Sequence, residues 1–330
     1  MVIPFTRFLS SPRISVLVPA YNRPEELRRC LDGFTQQTAA RKDFEVVVVD
    51  DGSTADLASV AAEFRASLNL RFKRSANGGP GAARNLGLKL CRAPLLLLYD
   101  DDLRPYPDVI ENCLEFHNRN RGEGDMTLLN FEPDPSVVGS PFLRWAFLRM
   151  YPFPKTERVS DWKSFWSGTI SCKKSVFNYG LFDPAYKMVE DAELGLRLSR
   201  RVDMRIHYHP RMTGTFTRPI TFSQFCRRQY MLAYFTHVMA RSYRGAVDFA
   251  YPPYDQPENY MMDSAEKLGA LIASMRTLEK ACPKKGNPPA VLCHMWNKTD
   301  VHVRANGWVE ARDGFPAQPP GTIAPLLEAC

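Results

Sequence analysis

The chain has 330 residues, of which 45% are hydrophobic and 24% are charged. This balance is that of an ordinary globular protein, and it excludes fibrous, collagen-like and largely disordered chains. The net charge of +7 favours anionic partners, among them a nucleotide-activated substrate, a nucleic acid or an anionic membrane surface.

The first two thirds of the chain alternate between apolar and amphipathic segments. Strands are predicted at residues 14–19, 44–49, 70–73 and 94–99, and helices at 23–34, 54–66 and 81–90. A helix at 109–117, a strand at 126–131 and a helix that begins near 190 follow. Strands separated by helices predict an α/β fold with a mainly parallel sheet and helices on both faces.

Three consecutive carboxylates follow the most apolar of these strands. Asp100, Asp101 and Asp102 repel one another at this spacing, and a divalent cation at the carboxyl end of the strand would remove that cost. In an extended chain, alternation puts Asp100 and Asp102 on one side and Asp101 on the other. We therefore expect Asp100 and Asp102 to converge on one metal ion, or on a metal ion and a sugar hydroxyl. The alternative is an acidic loop that caps the helix after residues 107–108.

Two other turns carry polar side chains that suit a nucleotide. Asp50 and Asp51 end the second strand, where a carboxylate can accept hydrogen bonds from a base N–H or from ribose hydroxyls. The alternative is that Asp51 and Ser53 serve only as turn and cap residues. Arg84 follows the glycine-rich loop at 77–81 and is either a phosphate clamp or a solvated surface arginine. That loop lacks the P-loop pattern, and the first turn, at 19–22, lacks the GxGxxG of a dinucleotide site.

An acidic pair begins the helix near residue 190. Glu190 and Asp191 lie in the first turn, where the helix dipole stabilises negative charge. Either the two acids serve only this helix, or a carboxylate that is held at the helix start points into a cleft.

Six motifs in this order resemble those of glycosyltransferase family 2. They are ISVLVPAYN at 14–22, VVDDGS at 48–53, NGGPGAARN at 77–85, YDDD at 99–102, GLFDP at 180–184 and EDAEL at 190–194. The resemblance covers about residues 14–217. It implies the GT-A fold and the transfer of a sugar from a nucleoside diphosphate to a hydroxyl acceptor, with inversion by a single displacement.

The resemblance also implies a donor site at the first strand ends. Pro19 and Tyr21 would contact the nucleobase, and Asp51, with Asp50 beside it, would hold the base or the ribose. Arg84, which was considered above as a phosphate clamp, is assigned to the donor site.

The resemblance implies further roles for the remaining acids. Asp100 would reach the ribose side of the donor, with Asp101 beside it, and Asp102 would bind the manganese or magnesium ion that bridges the two phosphates. Asp191 would be the general base, and Glu190 would help to position it.

The chain departs from the family pattern at one place. Many relatives carry a histidine after the strand that follows the acidic helix, where it completes the metal shell, but residues 213–218 contain none. His207 and His209, on a predicted strand at 204–209, either substitute for it or are structural. Arg218 could replace part of the charge of the metal.

We predict two domains, a GT-A catalytic domain over 13–217 and a helical and irregular region over 218–330. The second contains a basic, aromatic helix from 222 to about 244, a proline-rich linker at 251–257 and a helix at 263–281, before an irregular end. The basic helix either packs on the catalytic domain or contacts a phosphorylated or lipid-linked acceptor at a membrane surface. The expected partners are a nucleoside-diphosphate sugar and a glycan, lipid-linked or small-molecule acceptor, with no nucleic acid.

The cysteines and the apolar segments indicate where the protein acts. Eight cysteines occur without a CxxC pair, which argues against a zinc site and a disulfide framework and fits reduced thiols. No apolar run is long enough to span a bilayer, and residues 1–12 lack the apolar core of a secretion signal. We expect a cytoplasmic protein, with peripheral contact to the inner face of the membrane as the alternative.

Two other functions stay open from the sequence. A sugar nucleotidyltransferase also joins a nucleotide-binding sheet to acidic metal ligands, but it usually has a glycine-rich basic loop after its first strand, where this chain has PAYN. A non-catalytic module on a decayed transferase scaffold would bind nucleotide sugars or glycans. The absent histidine favours that module, whereas the presence of Asp51, Asp102 and Asp191 argues against it.

Overall fold

The computed structural model describes residues 11–135, 137, 139–243, 265–282 and 289–314. The chain divides into two compact units that interleave along the sequence. The first consists of Met1–Pro133, Phe153–Ala185 and Glu190–Arg218, and the second of Asp134–Pro152, Tyr186–Val189 and Pro219–Cys330. The predicted domain boundary between residues 217 and 218 stays a prediction. Two segments that precede this boundary, Asp134–Pro152 and Tyr186–Val189, belong to the second unit.

The first unit is built on one sheet with helices packed on it. Its strands are β1 (Ile14–Ala20), β2 (Phe44–Asp50), β3 (Leu70–Arg74), β4 (Leu95–Tyr99), β5 (Leu103–Pro105), β6 (Asp125–Pro133), β7 (Arg158–Ser160), β8 (Thr169–Lys173) and β9 (Arg205–Phe216). Its helices are α1 (Pro24–Thr35), α2 (Leu57–Glu63), α3 (Pro80–Leu90), α4 (Val109–Arg119) and α6 (Glu190–Ser199). The α/β fold that the alternation predicts is confirmed.

The strands lie in the order β3-β2-β1-β4-β8-β6-β9-β5, with β7 paired to β9. The first four strands pair in parallel, as predicted. β8 then pairs antiparallel with both β4 and β6, whereas β6 and β9 are parallel. The second half of the sheet is therefore mixed, which the strand–helix alternation does not predict.

Apolar runs explain the core of the sheet. Every residue of β2 is buried, and β1 is buried except at Pro19, because both strands lie inside the sheet with helices on its faces. α3 lies directly on β1, where a Cβ atom at Gly87 would come within 2.0 Å of Leu17 Cδ1. A larger residue here would need Leu17 to shift, so glycine lets α3 pack closely on β1.

The ends of these strands bring several loops to one edge. β1, β2 and β4 run in the same direction, and Ala20 at the end of β1 pairs with Asp50 at the end of β2. The loops at 21–23, 51–56 and 100–102 therefore begin at this edge, which is where ligands bind in open α/β sheets.

The second unit is helical. Its helices are α5 (Pro141–Met150), α7 (Phe222–Ser242), α8 (Ala265–Ala281) and α9 (Ala290–Asp313). Its buried core includes Phe225, Tyr230 and Trp296. Beside this core, the buried carboxylate of Asp300 accepts hydrogen bonds from Arg149 and Arg304. None of the described helices is long and apolar enough to cross a membrane.

The predicted elements of this unit are confirmed in part. The basic, aromatic helix is α7, and the helix at 263–281 is α8. The expectation of an irregular chain after it is wrong for 290–313, which forms the long helix α9 with a left-handed cap at Gly314. The predicted linker at 251–257 lies outside the described residues.

Candidate active site

The loops after β1 and β2 are joined by Asn22. Its φ is 53°, in the left-handed region that asparagine tolerates better than most residues. Its Oδ1 accepts hydrogen bonds from the backbone N–H groups of Thr54, at 2.7 Å, and Ala55, at 3.2 Å. This crosslink fixes the loop that carries Tyr21, which is 45% exposed, beside the half-buried Pro19.

Asp50 and Asp51 hold neighbouring loops through backbone N–H groups. Asp50 Oδ1 accepts from the N–H of Ser53, at 2.8 Å. Both oxygens of Asp51 accept from the glycine-rich loop, Oδ1 from Gly78 and Oδ2 from Gly79, each at 2.8 Å. Asp50 thus makes a turn contact with Ser53, whereas Asp51 joins its own loop to the glycine-rich loop. Contact of either carboxylate with a base or a ribose stays a prediction.

The three carboxylates after β4 contact two different arginines. Arg23 Nη1 donates to Asp101 Oδ1, at 2.6 Å, and to Asp102 Oδ2, at 3.1 Å. Asp100 accepts instead from an arginine of α3. The expectation that alternation sets Asp101 apart from Asp100 and Asp102 is wrong, because the chain turns at Asp101 and Asp102 and the extended geometry ends with β4.

Burial distinguishes these three acids. The side chains of Asp101 and Asp102 are 2% and 10% exposed, whereas that of Asp100 is 40% exposed. Burial raises the pKa of Asp101 to about 7, because it outweighs the opposing effect of Arg23. Near neutral pH, burial therefore leaves Asp101 less ionised than an exposed aspartate.

A second arginine side chain lies beside Asp102. Arg218 Nε is 3.7 Å from Asp102 Oδ2. The preceding residue, Thr217, donates from its N–H, at 2.9 Å, and from its Oγ1, at 3.0 Å, to the backbone carbonyl of Asp102. Arg29 Nη1 donates to the carbonyl of Thr217, at 3.1 Å. These contacts hold an arginine at the place where the resemblance implies a histidine.

The oxygen atoms of this cluster suit a divalent cation. The buried Oδ2 of Asp101 supports that fit, since it has no hydrogen-bond donor among the described residues. Within the same residues, no three or more histidine, cysteine, aspartate or glutamate side chains form a complete metal site. His207 lies near Asp125, with 3.6 Å between Nε2 and Oδ1, and the side chain of His209 lies outside the described residues. A cation at Asp102 would therefore share its coordination with oxygen atoms of a bound substrate or water.

Arg84 joins the end of β4 to the start of α6. Its Nη2 donates to Asp100 Oδ1, at 2.9 Å, and its Nη1 donates to Glu190 Oε1, at 2.8 Å. The side chain is 5% exposed, so the reading as a solvated surface arginine is wrong. The phosphate contact of Arg84 stays a prediction, and these contacts favour a different role.

Glu190 and Asp191 have different environments at the start of α6. Burial and the charge of Asp191 raise the pKa of Glu190 to about 7, and Arg84 opposes that rise. Asp191 is half-buried, and its Oδ2 accepts from the N–H of Ser167, at 3.3 Å, just before β8. Val189 has a φ of 58°, a strained value for a β-branched residue and one that is often found beside functional sites.

Arg23 and Asn22 are the site residues that the sequence analysis missed. Both precede Pro24, the first residue of α1, and their sequence alone suggests only a helix start. A basic residue directly after β1 and three acids directly after β4 are the signal that points to Arg23. That signal can be used only when β1 and β4 are known to be neighbours.

Comparison with known proteins finds a family match in about the first half of the chain. Residues 15–170 match the family described as Glycosyl transferase family 2, and this match spans just under half of the chain. The chain is 37% identical over 216 residues to validoxylamine A glucosyltransferase of Streptomyces hygroscopicus subsp. jinggangensis, a match that covers 57% of this chain and 51% of that protein.

Other relatives match shorter parts. The poly(ribitol-phosphate) beta-N-acetylglucosaminyltransferase TarS of Staphylococcus aureus is 36% identical over 113 residues, which are 34% of this chain and 20% of that protein. The chain thus spans about half, or less, of the length of these curated relatives. The names of the relatives describe glycosyl transfer, which argues against the sugar nucleotidyltransferase alternative.

Solved structures share the fold. Mannosyltransferase PcManGT from Pyrobaculum calidifontis, in complex with GDP-Man and Mn2+, matches with a TM-score of 0.59 at 19% identity, over 92% of this chain and 87% of that one. S. aureus TarS 1-349 in complex with UDP-GlcNAc matches with a TM-score of 0.54 at 18% identity, over 93% of both chains. The expectation of a GT-A fold is confirmed.

Proposed function

We propose that this family 2 protein is an inverting glycosyltransferase that moves a sugar from a nucleoside diphosphate to a hydroxyl acceptor. The bridge through Arg84 is the observation that carries the proposal. It brings Asp100 and Glu190, which are 90 positions apart in the sequence, to one guanidinium. This proximity of Asp100, the proposed donor-side acid, to the start of α6 supports the proposal, because a single displacement needs its donor and its base side by side.

The donor is a nucleoside-diphosphate sugar. Two structural neighbours were solved with UDP-GlcNAc and with GDP-Man, which supports this class of donor and leaves the sugar open. Tyr21, exposed at the edge, and Pro19 would contact the base. Asp51 holds the glycine-rich loop in place, and with Asp50 it would complete the base and ribose contacts.

Asp102, with Asp100 and Asp101 beside it, would hold manganese or magnesium. One neighbour contains Mn2+, and the carboxylate oxygens described above suit such an ion. The bound ion would supply positive charge for the diphosphate as it leaves. Arg23 and Arg218 add two positive charges at the same place, from the protein itself.

Asp191 is the proposed general base. An acceptor hydroxyl is a weak nucleophile at neutral pH, and a carboxylate that takes its proton makes attack on the anomeric carbon possible. As the new carbon–oxygen bond forms, the bond to the donor's phosphate oxygen breaks and its electron pair leaves with the nucleoside diphosphate. Glu190, held by Arg84, fixes the first turn of α6 and so helps to position Asp191.

The acceptor is a glycan, a lipid-linked molecule or a small molecule with a free hydroxyl. Arg227 and Arg228 on α7 are the proposed contacts for a phosphorylated acceptor or for an anionic membrane surface. Binding of the protein to anionic vesicles, compared with neutral ones, tests the membrane contact.

A release assay tests the proposed activity. Purified protein is incubated with a panel of nucleoside-diphosphate sugars, with and without Mn2+ or Mg2+, and free nucleoside diphosphate is measured. We expect release from at least one donor, faster with metal and faster again with an acceptor. Binding of nucleoside diphosphate without release from any donor would support the non-catalytic module instead.

A further inference from the structure

The guanidinium of Arg84 lies between two carboxylates that belong to different parts of the first unit. We propose that Arg84 is a positioning residue, which holds Asp100 at the end of β4 and Glu190 at the start of α6 in one fixed arrangement and does not touch the donor. The inference rests on the proposed function, and it assigns Arg84 to the acids of the site instead of to the phosphates.

The shape of the guanidinium explains why an arginine is needed. Its two terminal nitrogens serve two separate acids, Nη1 at 2.8 Å from Glu190 and Nη2 at 2.9 Å from Asp100. A lysine has one compact ammonium group and does not reproduce this fork. The buried Nε of Arg84 has no hydrogen-bond partner among the described residues, so the two acids determine how the group is oriented.

Contacts of α3 hold Arg84 in this orientation. Its Cζ lies 5.6 Å from the centre of the Phe182 ring, close enough for a cation–π contact. The next residue, Asn85, donates to the carbonyl of Phe182, at 2.7 Å, and accepts from its N–H, at 3.0 Å. A Cβ atom at Gly81 would lie 3.1 Å from Phe182 Cβ and 3.8 Å from Glu190 Cβ, so the helix approaches both residues closely.

The charges around Glu190 give this role a measurable consequence. The charged groups that face it are Arg84 from α3, Asp100 from the end of β4 and Asp191 from its own helix. Two of the three are acids, and Arg84 alone favours the ionised form of Glu190. Loss of the fork therefore shifts the protonation of Glu190 to higher pH and frees Asp100 to move.

Arg84→Lys is the first test, because it keeps the charge and loses the fork. We expect a folded protein that binds nucleoside diphosphate nearly as tightly as wild type, with kcat lowered at least ~10-fold, since small misplacements of reacting groups cost that much or more. The acidic limb of the kcat–pH profile should move to higher pH. Lys89→Gln is the matched control, because Lys89 is an exposed cation on the same helix, and it should leave both kcat and that limb unchanged.

A phosphate clamp would give another result. Arg84→Lys would then weaken binding of nucleoside diphosphate but not of the free nucleoside, and the kcat–pH profile would not move. That result, or an unchanged kcat, overturns the proposal.

A measurement without turnover separates this inference from the proposed function. The pKa of Glu190, followed by NMR of its side-chain carboxyl carbon, should rise in Arg84→Lys even if wild type transfers no sugar, and an unchanged pKa overturns the inference.

Discussion

Arg23 Nη1 lies 3.1 Å from Asp102 Oδ2 and 2.6 Å from Asp101 Oδ1, so one guanidinium of the loop after β1 pairs with two acids of the loop after β4. The same oxygens are those that would bind a divalent cation. If Asp102 binds a metal ion as proposed, Arg23 would therefore compete electrostatically with that ion when no donor is bound.

Arg23→Gln should raise the affinity of the nucleotide-free protein for Mn2+. The change removes a positive charge beside Asp102 and leaves Asp101 and Asp102 without their shared cation. Titration with Mn2+, followed by electron paramagnetic resonance, measures the affinity. Arg28→Gln is the control, since Arg28 pairs with Glu25 and Glu63 on the surface and should not change Mn2+ binding. Equal affinities in wild type and Arg23→Gln would contradict the competition.

Asp102→Asn should remove most of the gain in nucleoside diphosphate affinity that metal provides. A neutral amide is a poorer ligand than a carboxylate for a hard cation. Calorimetric titrations with and without Mg2+ or Mn2+ measure that gain in both proteins. Without metal, the two proteins should bind the nucleotide with similar affinity, and a full gain in Asp102→Asn would show that another group binds the ion.

Asp191→Asn should separate binding from chemistry. The amide keeps the shape of the side chain and loses its basicity, so donor and metal binding should stay close to wild type. Turnover should fall by at least ~10²-fold, the lower end for general base catalysis. Steady-state kinetics and calorimetry on the same preparation measure the two effects. Transfer at nearly the wild-type rate would leave Asp191 as a helix-start acid only.

Substitutions of Asn22 should reveal its two contributions to stability. Asn22→Gly keeps a residue that tolerates a φ of 53° but loses the hydrogen bonds from Thr54 and Ala55. Because water can replace these exposed bonds, the free energy of unfolding should fall by about 0.5–1.5 kcal/mol. Asn22→Ala also has to adopt the left-handed conformation, which costs about 1–2 kcal/mol more. Urea denaturation measures both. Equal stability of the two variants would contradict that additional cost of the left-handed conformation.

Local sequence determined much of the first unit. The apolar runs of β1, β2 and β4 are buried as predicted, because a strand inside a parallel sheet is covered on both faces whatever its neighbours are. The six motifs likewise placed the candidate acids at strand ends and at the start of α6. These features depend on residues close together in the chain, so a single sequence is enough to find them.

Only the tertiary structure decided which of these groups meet. The pairing of Arg23 with Asp101 and Asp102 depends on β1 lying beside β4, and the bridge from Asp100 to Glu190 depends on where α3 packs. The turn after β4 also overrides the alternation of an extended strand. Strand order and helix packing arise from the burial of many distant side chains together, so the sequence near an arginine does not indicate which carboxylate will neutralise it.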